Sequence, residues 1–465
     1  MIQLANPVNR PLFRIVACLL IVSAASARAK EEPANTPGIE AKSPALKRAM
    51  EEYEKKAPQI ALRIDDTAAG SRENAALLYF QALLARRESD PHTAEALNAV
   101  ARGGEPGDRV RAYLGRSLTT IELAHIASQM PQCHWGPMQA GEQQLDINLG
   151  IPLRRLSRLL DADARTLAAD GHDRAALARC LTIRRLAHHT GAGMYNLYSI
   201  SQSMHTMSLL AVAHVLSRRA SNDETLTWLK SRLATVPGTP FEPAQALRKW
   251  REAELQFWRT RPKGRPFARE MILARIPDAN DRRTLAALTD DQLLVLALQG
   301  EQKVPGLYGG LSVPPQLLER AQRACDEYLQ SALQIMKTDV PYREKHAKLQ
   351  EMVDALDDRA GNGDPIALLS EAPRVVELYH RLMVRNAVYD NLVAAAIEIC
   401  LMETKTGHLP QTLPSGLPKD FYAGKDFEYE QTAKGFALGF DPDNVSRIRV
   451  RRFEFRTAPA GQDRP

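Results

Sequence analysis

The chain has 465 residues, with 61 lysines and arginines against 55 acids and a net charge of +6 at pH 7. That balance gives no sign of a nucleic-acid binder, and the length allows two or three domains with ample core. Charge also falls toward the N-terminus: residues 1–29 carry Arg10, Arg14 and Arg28 and no acid, so their removal leaves +3.

Residues 1–14 are basic, 15–22 (IVACLLIV) are unbroken apolar and 23–29 (SAASARA) are small. That order is the plan of a secretory signal peptide, with cleavage after Ala29 or, alternatively, Ala27. The apolar run is shorter than the roughly 20 residues of a membrane span. An uncleaved anchor is the other reading of the same residues. No second run of spanning length exists, so the mature chain is expected to be periplasmic or secreted, without a transmembrane span. In that setting Cys133, Cys180, Cys325 and Cys400 allow two disulfides in three connectivities, with buried thiols as the alternative.

Residues 30–44 hold three prolines and read as a linker. A helical domain is expected over 45–260. Within it, Ser71 can cap a helix running to Arg87, and Asp108 can start another that ends before Pro131. Residues 151–190 form a helical hairpin: Leu153, Leu156, Leu160 and Leu167 keep the period, Gly171 suits the turn, and Ala176, Leu177, Cys180 and Ile183 resume it. Helices follow at about 192–219, 222–235 (capped by Ser221) and 242–260. Residues 261–315 read as an irregular connection. A second helical group covers 316–405 and ends in a long apolar helix from 374. Residues 406–465 change character: three prolines, then a hairpin pattern around 432–434 and an alternating strand near 447–456, with a phase slip at Arg452 that a bulge would explain. The expected fold class is mainly α, an irregular helical-hairpin array with a small C-terminal antiparallel β-meander.

The 151–190 hairpin resembles the inner part of one tetratricopeptide repeat, although Asp173 stands where that family has tyrosine and no period near 34 residues is sustained. Asn74 to Leu84 (NAALLYFQALL), with Pro131-Gln-Cys133-His-Trp135 and the 151–190 pair, resembles a group of uncharacterised exported, largely helical bacterial proteins, which implies no known activity. The C-terminal segment resembles the globular end of type II secretion pseudopilins: a long helix leads through Lys405-Thr-Gly407-His-Leu409-Pro410 and Leu417-Pro418-Lys419-Asp420 to a Gly424-Lys425 turn, a Tyr429 strand and Asp441-Pro442-Asp443. Some major pseudopilins bind calcium in this region. The resemblance therefore implies Asp441, Asp443 and Asn444 as oxygen ligands, where the residues alone read as an ordinary turn. It also implies a docking face of Tyr429, Phe436 and Phe440.

Other chemistry-bearing groups have plainer readings. His134 beside Cys133 lies in a loop, where neighbours point apart, so the pair is a poor nucleophile and base. His188, His189, Met194, Met204, His205, Met207 and His214 would suit copper, but Leu197, Ile200, Met204, Met207 and Ala211 form one apolar helix stripe, the pattern of a core face. Asp65-Asp66, Asp290-Asp291 and Asp357-Asp358 are adjacent and do not face each other on a helix. No HExxH, GxSxG, SxxK or phosphate-binding glycine loop is present. Apart from the calcium that the pseudopilin resemblance implies, no cofactor and no resident metal is indicated. The residues favour an exported, non-enzymatic helical scaffold or binding protein for an envelope protein or peptide, with no nucleic-acid partner. A hydrolase-like enzyme with its cleft between the two helical groups, and a component associated with a type II secretion or pilus-like system, are the alternatives.

Overall fold

Among the described residues the chain opens with nine helices: α1 (Pro44–Leu62), α2 (Ala75–Ala85), α3 (Pro91–Ala101), α4 (Asp108–Arg116), α5 (Leu118–Gln129), α6 (Gln143–Ala169), α7 (Asp173–Gly193), α8 (Tyr198–Arg218) and α9 (Asp223–Thr235). Then come α10 (Pro243–Thr260), α11 (Arg269–Ala274), α12 (Ala279–Ala286), α13 (Asp290–Lys303), α14 (Pro315–Lys337), α15 (Tyr342–Gly361), a 3₁₀ turn at Pro365–Leu369 and α16 (Glu371–Thr406). Strands β1 (Glu428–Thr432), β2 (Gly435–Gly439) and β3 (Arg452–Arg456) follow. The computed structural model describes residues 44–63, 73–135, 143–193, 197–218, 222–236, 243–260, 267–274, 279–303, 311–369, 371–440 and 452–457. The protein is thus mainly α with a small antiparallel sheet. No helix among the described residues is long and apolar enough to cross a membrane.

Local chemistry sets the helix ends. Asn74, rather than Ser71 (outside the described residues), caps α2: its Oδ1 accepts from the Ala76 N–H at 3.1 Å and from the His134 N–H at 2.7 Å. The Ala75 N–H goes to the Gln132 carbonyl at 2.9 Å, so the 131–135 loop satisfies the first turn of α2. Asp90 caps α3, accepting from the Thr93 N–H at 3.0 Å, with Pro91 at the first helical position. Asn222 caps α9 by accepting from the Thr225 N–H at 2.8 Å; Ser221 lies outside the described residues. The helix expected from Asp108 to Pro131 breaks at Ser117 into α4 and α5. Between α6 and α7, Gly171 takes φ +83, and the His172 N–H returns to the Leu167 carbonyl at 2.9 Å, as a left-handed helix end requires.

Two apolar clusters organise Lys47–Pro465, which forms one compact unit. The first gathers α1 to α9, the C-terminal half of α16 and the sheet, through residues such as Tyr53, Leu114, Leu160, Ile183, Leu392 and Phe436. The second gathers α10 to α15 and the N-terminal half of α16, through Leu247, Trp258, Leu298, Cys325, Leu349 and Tyr379. The changeover therefore lies before α10, inside the expected 45–260 domain. α16 belongs to both clusters, with Leu382 in one and Val384 in the other. Residues 261–315 are not an irregular connection, because α11 to α13 lie there and bury Ile272, Leu294 and Leu298.

The sheet runs β1-β2-β3, antiparallel throughout, with Tyr429 opposite Leu438 and Phe436 opposite Phe455. The two-residue turn Ala433-Lys434 closes the hairpin as the sequence indicates. β3 pairs regularly from Arg452 to Arg456 without a bulge; residues 441–451 lie outside the described set.

α1 crosses α4 at Gly115, where an added Cβ would overlap the Ala49 carbonyl oxygen. Both neighbours are helix backbone and cannot move aside cheaply. Gly115→Ala is expected to cost about 1–3 kcal/mol by overpacking, read as a lower thermal midpoint by circular dichroism. An unchanged midpoint would show that the two helices separate freely.

Candidate ligand groove

One face of α7 carries Arg174, Ala178, Leu181 and Arg185, spaced by four, three and four residues over about three turns. This face is complementary to the core-facing stripe of Leu177, Cys180, Ile183 and Leu186. It forms the floor of a cavity of about 440 Å³. The C-terminal end of α1 (Leu62, Arg63) and α5 (His125, Gln129) make one wall, and Trp228 and Arg232 of α9 make the other.

The α1 wall is pinned by hydrogen bonds. His125 Nε2 lies 2.9 Å and Gln129 Nε2 3.0 Å from the Arg63 carbonyl oxygen. A carbonyl only accepts, so Nε2 of His125 carries the proton, leaving Nδ1 to face the Thr182 hydroxyl at 3.0 Å. Burial, then the Arg179 charge, holds His125 down to about 3, so its ring is neutral at neutral pH.

The arginines differ in their partners. Arg63 pairs with Glu122 at 2.9 Å and Arg174 with Glu224 at 2.5 Å. The Arg174 guanidinium also lies 5.3 Å from the centre of the Trp228 ring, a cation–π distance. The guanidinium groups of Arg185 and Arg232 have no acid or hydrogen-bond acceptor among the described residues. Burial and the Arg232 charge hold Arg185 below its ordinary pKa. The described lining residues supply cations, a neutral imidazole and an apolar floor, but no carboxylate for general acid–base catalysis.

The residues singled out from sequence are placed elsewhere. Ala27, Ala29, Met194, Asp441, Asp443 and Asn444 lie outside the described residues. Cys133, Cys180, Cys325 and Cys400 are free and buried, which corrects the disulfide expectation. Each packs as a small apolar side chain: Cys325 lies in the second cluster and the other three in the first. Burial pushes the Cys133, Cys325 and Cys400 thiols up to about 12, the opposite of a reactive thiolate.

The docking face of Tyr429, Phe436 and Phe440 is also corrected. Phe436, on the central strand β2, and Phe440, the residue after that strand, are both buried; Tyr429 is half-buried, and its hydroxyl donates to the Pro410 carbonyl at 2.7 Å. Trp135 fills a core gap: it stacks on Tyr79 at 5.6 Å and donates through its indole N–H to the His189 carbonyl at 2.8 Å.

The copper candidates are engaged in packing and ion pairs. His189 Nδ1 lies 3.1 Å from the Tyr79 hydroxyl, and His205 Nε2 lies 2.9 Å from Asp390, which Arg184 also holds at 2.6 Å. The adjacent acids Asp290 and Asp291 turn to different arginines, Arg269 and Arg320.

A second polar cluster joins α15 to α16. His346 Nδ1 is 3.3 Å and Arg381 is 3.6 Å from the Glu377 carboxylate, beneath the rings of Tyr342 and His380. Burial pushes Glu377 up, but His346 and Arg381 outweigh it and leave the carboxyl below its ordinary range. The groups meet through charge and ring packing between the two helices, while the Tyr342 hydroxyl, His346 Nδ1, Glu377 Oε1 and His380 Nδ1 make no hydrogen bond among the described residues. No family model, curated protein or solved structure matches this chain.

Proposed function

We propose that this is an exported, non-catalytic binding protein of the cell envelope, whose helical array seats a segment of an envelope protein or peptide in the α5/α7/α9 groove. The observation that carries the reading is the groove itself: a cavity of about 440 Å³ with an apolar floor, rimmed by cations and with no acid–base pair among its described lining residues. Its volume falls in the range of roughly 300–1,000 Å³ typical of ligand sites. The export half of the reading rests on the charged, apolar and small blocks of residues 1–29.

The test is a selection from a displayed random peptide library on the full immobilised chain. Ala178→Trp serves as the comparison, because Ala178 is a half-buried floor residue where an indole fills the groove without entering the core. The expected result is enriched sequences that bind the wild type and lose at least about tenfold in affinity for Ala178→Trp, a 1.4 kcal/mol difference. Enrichment at background level, or equal binding to both proteins, contradicts the reading.

A further inference from the structure

Compensation of charge is uneven along the groove. Glu122 neutralises Arg63 and Glu224 neutralises Arg174, while Arg185 and Arg232 repel each other with no acid between them among the described residues. Two like charges held together at a half-buried site are unfavourable, and an anion bridging them relieves that cost. They sit at one end of the groove. The other end is the Trp228 ring under Arg174, and Ala178 and Leu181 lie between. From Arg174 to Arg185 the α7 axis advances about 16 Å at 1.5 Å per residue. An extended peptide covers that distance in about five residues.

We propose that the groove takes an extended acidic peptide segment, with an apolar or aromatic side chain against Leu181 and Trp228 and two side-chain carboxylates on Arg185 and Arg232. The proposal rests on the groove being a binding site and adds the chemistry of what it binds. Two uncompensated guanidiniums on different helices match two side-chain acids, whereas a chain terminus brings one charge. The planar guanidinium fork receives a carboxylate through two parallel hydrogen bonds, which a point charge does not do.

The full chain is titrated by calorimetry with three acetylated pentapeptides: AFADE amide, AFANQ amide and AFANQ with a free C-terminus. The expected result is at least tenfold tighter binding of AFADE amide than of the other two, with the difference lost in Arg185→Gln/Arg232→Gln and reduced in 0.5 M salt. Arg185→Lys/Arg232→Lys keeps part of the preference, because charge remains and the fork does not. In the absence of peptide, Arg232→Gln alone raises the thermal midpoint, since it removes the repulsion.

Equal binding of AFADE amide and AFANQ amide overturns the acidic assignment and leaves the groove reading standing. Tighter binding of free-terminus AFANQ overturns the side-chain source. Binding of none of the three overturns the acidic assignment, and the groove reading falls with it only if the library selection on Ala178→Trp and wild type is also blank.

Discussion

Replacing Asp163 with alanine is expected to destabilise the protein by about 3–5 kcal/mol, the usual cost of leaving one member of a buried ion pair alone. Asp163 on α6 and Arg179 on α7 are fully buried, with Nε to Oδ2 at 2.6 Å. The Tyr53 hydroxyl of α1 donates to the other carboxylate oxygen at 2.7 Å. Burial pushes the Asp163 carboxyl up, and Arg179 and Tyr53 pull it back. Both terminal nitrogens of Arg179 lack a hydrogen-bond partner among the described residues, so Asp163 is its main source of stabilisation.

Without the carboxylate, a guanidinium remains in the core with nothing to offset its lost hydration. The triple variant Tyr53→Phe/Asp163→Leu/Arg179→Met removes all three polar groups together and is expected to regain most of the loss. Denaturant midpoints of the wild type, the single and the triple variant check this. A single variant within about 0.5 kcal/mol of wild type, the ordinary scatter of surface changes, would show that the pair is not buried as described.

The second large effect is with acid. Burial holds His125 down to about 3 and His189 and His380 down to about 4, against an unfolded value near 6.5. Above pH 6.5 each ring is neutral in both states, and its contribution to stability is complete. As pH falls below 6.5 the unfolded chain takes up protons that the folded chain refuses, so stability falls until pH reaches the folded values. Each histidine contributes a slope of up to about 1.4 kcal/mol per pH unit. The upper part of this window, from pH 6.5 to about 5, lies above the ordinary carboxylate range, so the histidines set the fall there. Thermal midpoints are expected to be level from pH 8 to 7 and to fall steeply from pH 6 to 4. His189→Phe, which keeps a ring beside Tyr79 and Trp135, should reduce the slope by one proton. A midpoint constant down to pH 4.5 contradicts the neutral, buried state of these rings.

Short-range signals were the legible part of this chain. Gly171 between two periodic runs locates the α6–α7 hairpin, and the turn at Ala433-Lys434 locates β1 and β2. α3 was missed although Asp90-Pro91 is a sound start, because its apolar positions are mostly alanine and carry little periodicity. α11 to α13 were hidden by the flanking Pro and Gly residues. In β2, alternation puts Phe436 and Leu438 on one face, but a strand does not say whether that face meets solvent or another helix. The four cysteines repeat the problem: their pairing depends on tertiary distance, which spacing does not encode.

The groove was half legible. Arg174, Ala178, Leu181 and Arg185 share a helix face that is readable from α7 alone. Its walls come from α1, α5 and α9, whose approach is fixed by tertiary packing, and only that packing reveals which arginines are already paired.

The measurement that bears most directly on this account is amide hydrogen exchange of the full chain with and without saturating AFADE amide. The account predicts added protection confined to the segments around the groove, in α7 and α9 and at the α1 end beside Arg63. Protection at the exposed Leu77 and Leu84 face of α2 instead, or no protection on the groove helices, would contradict it.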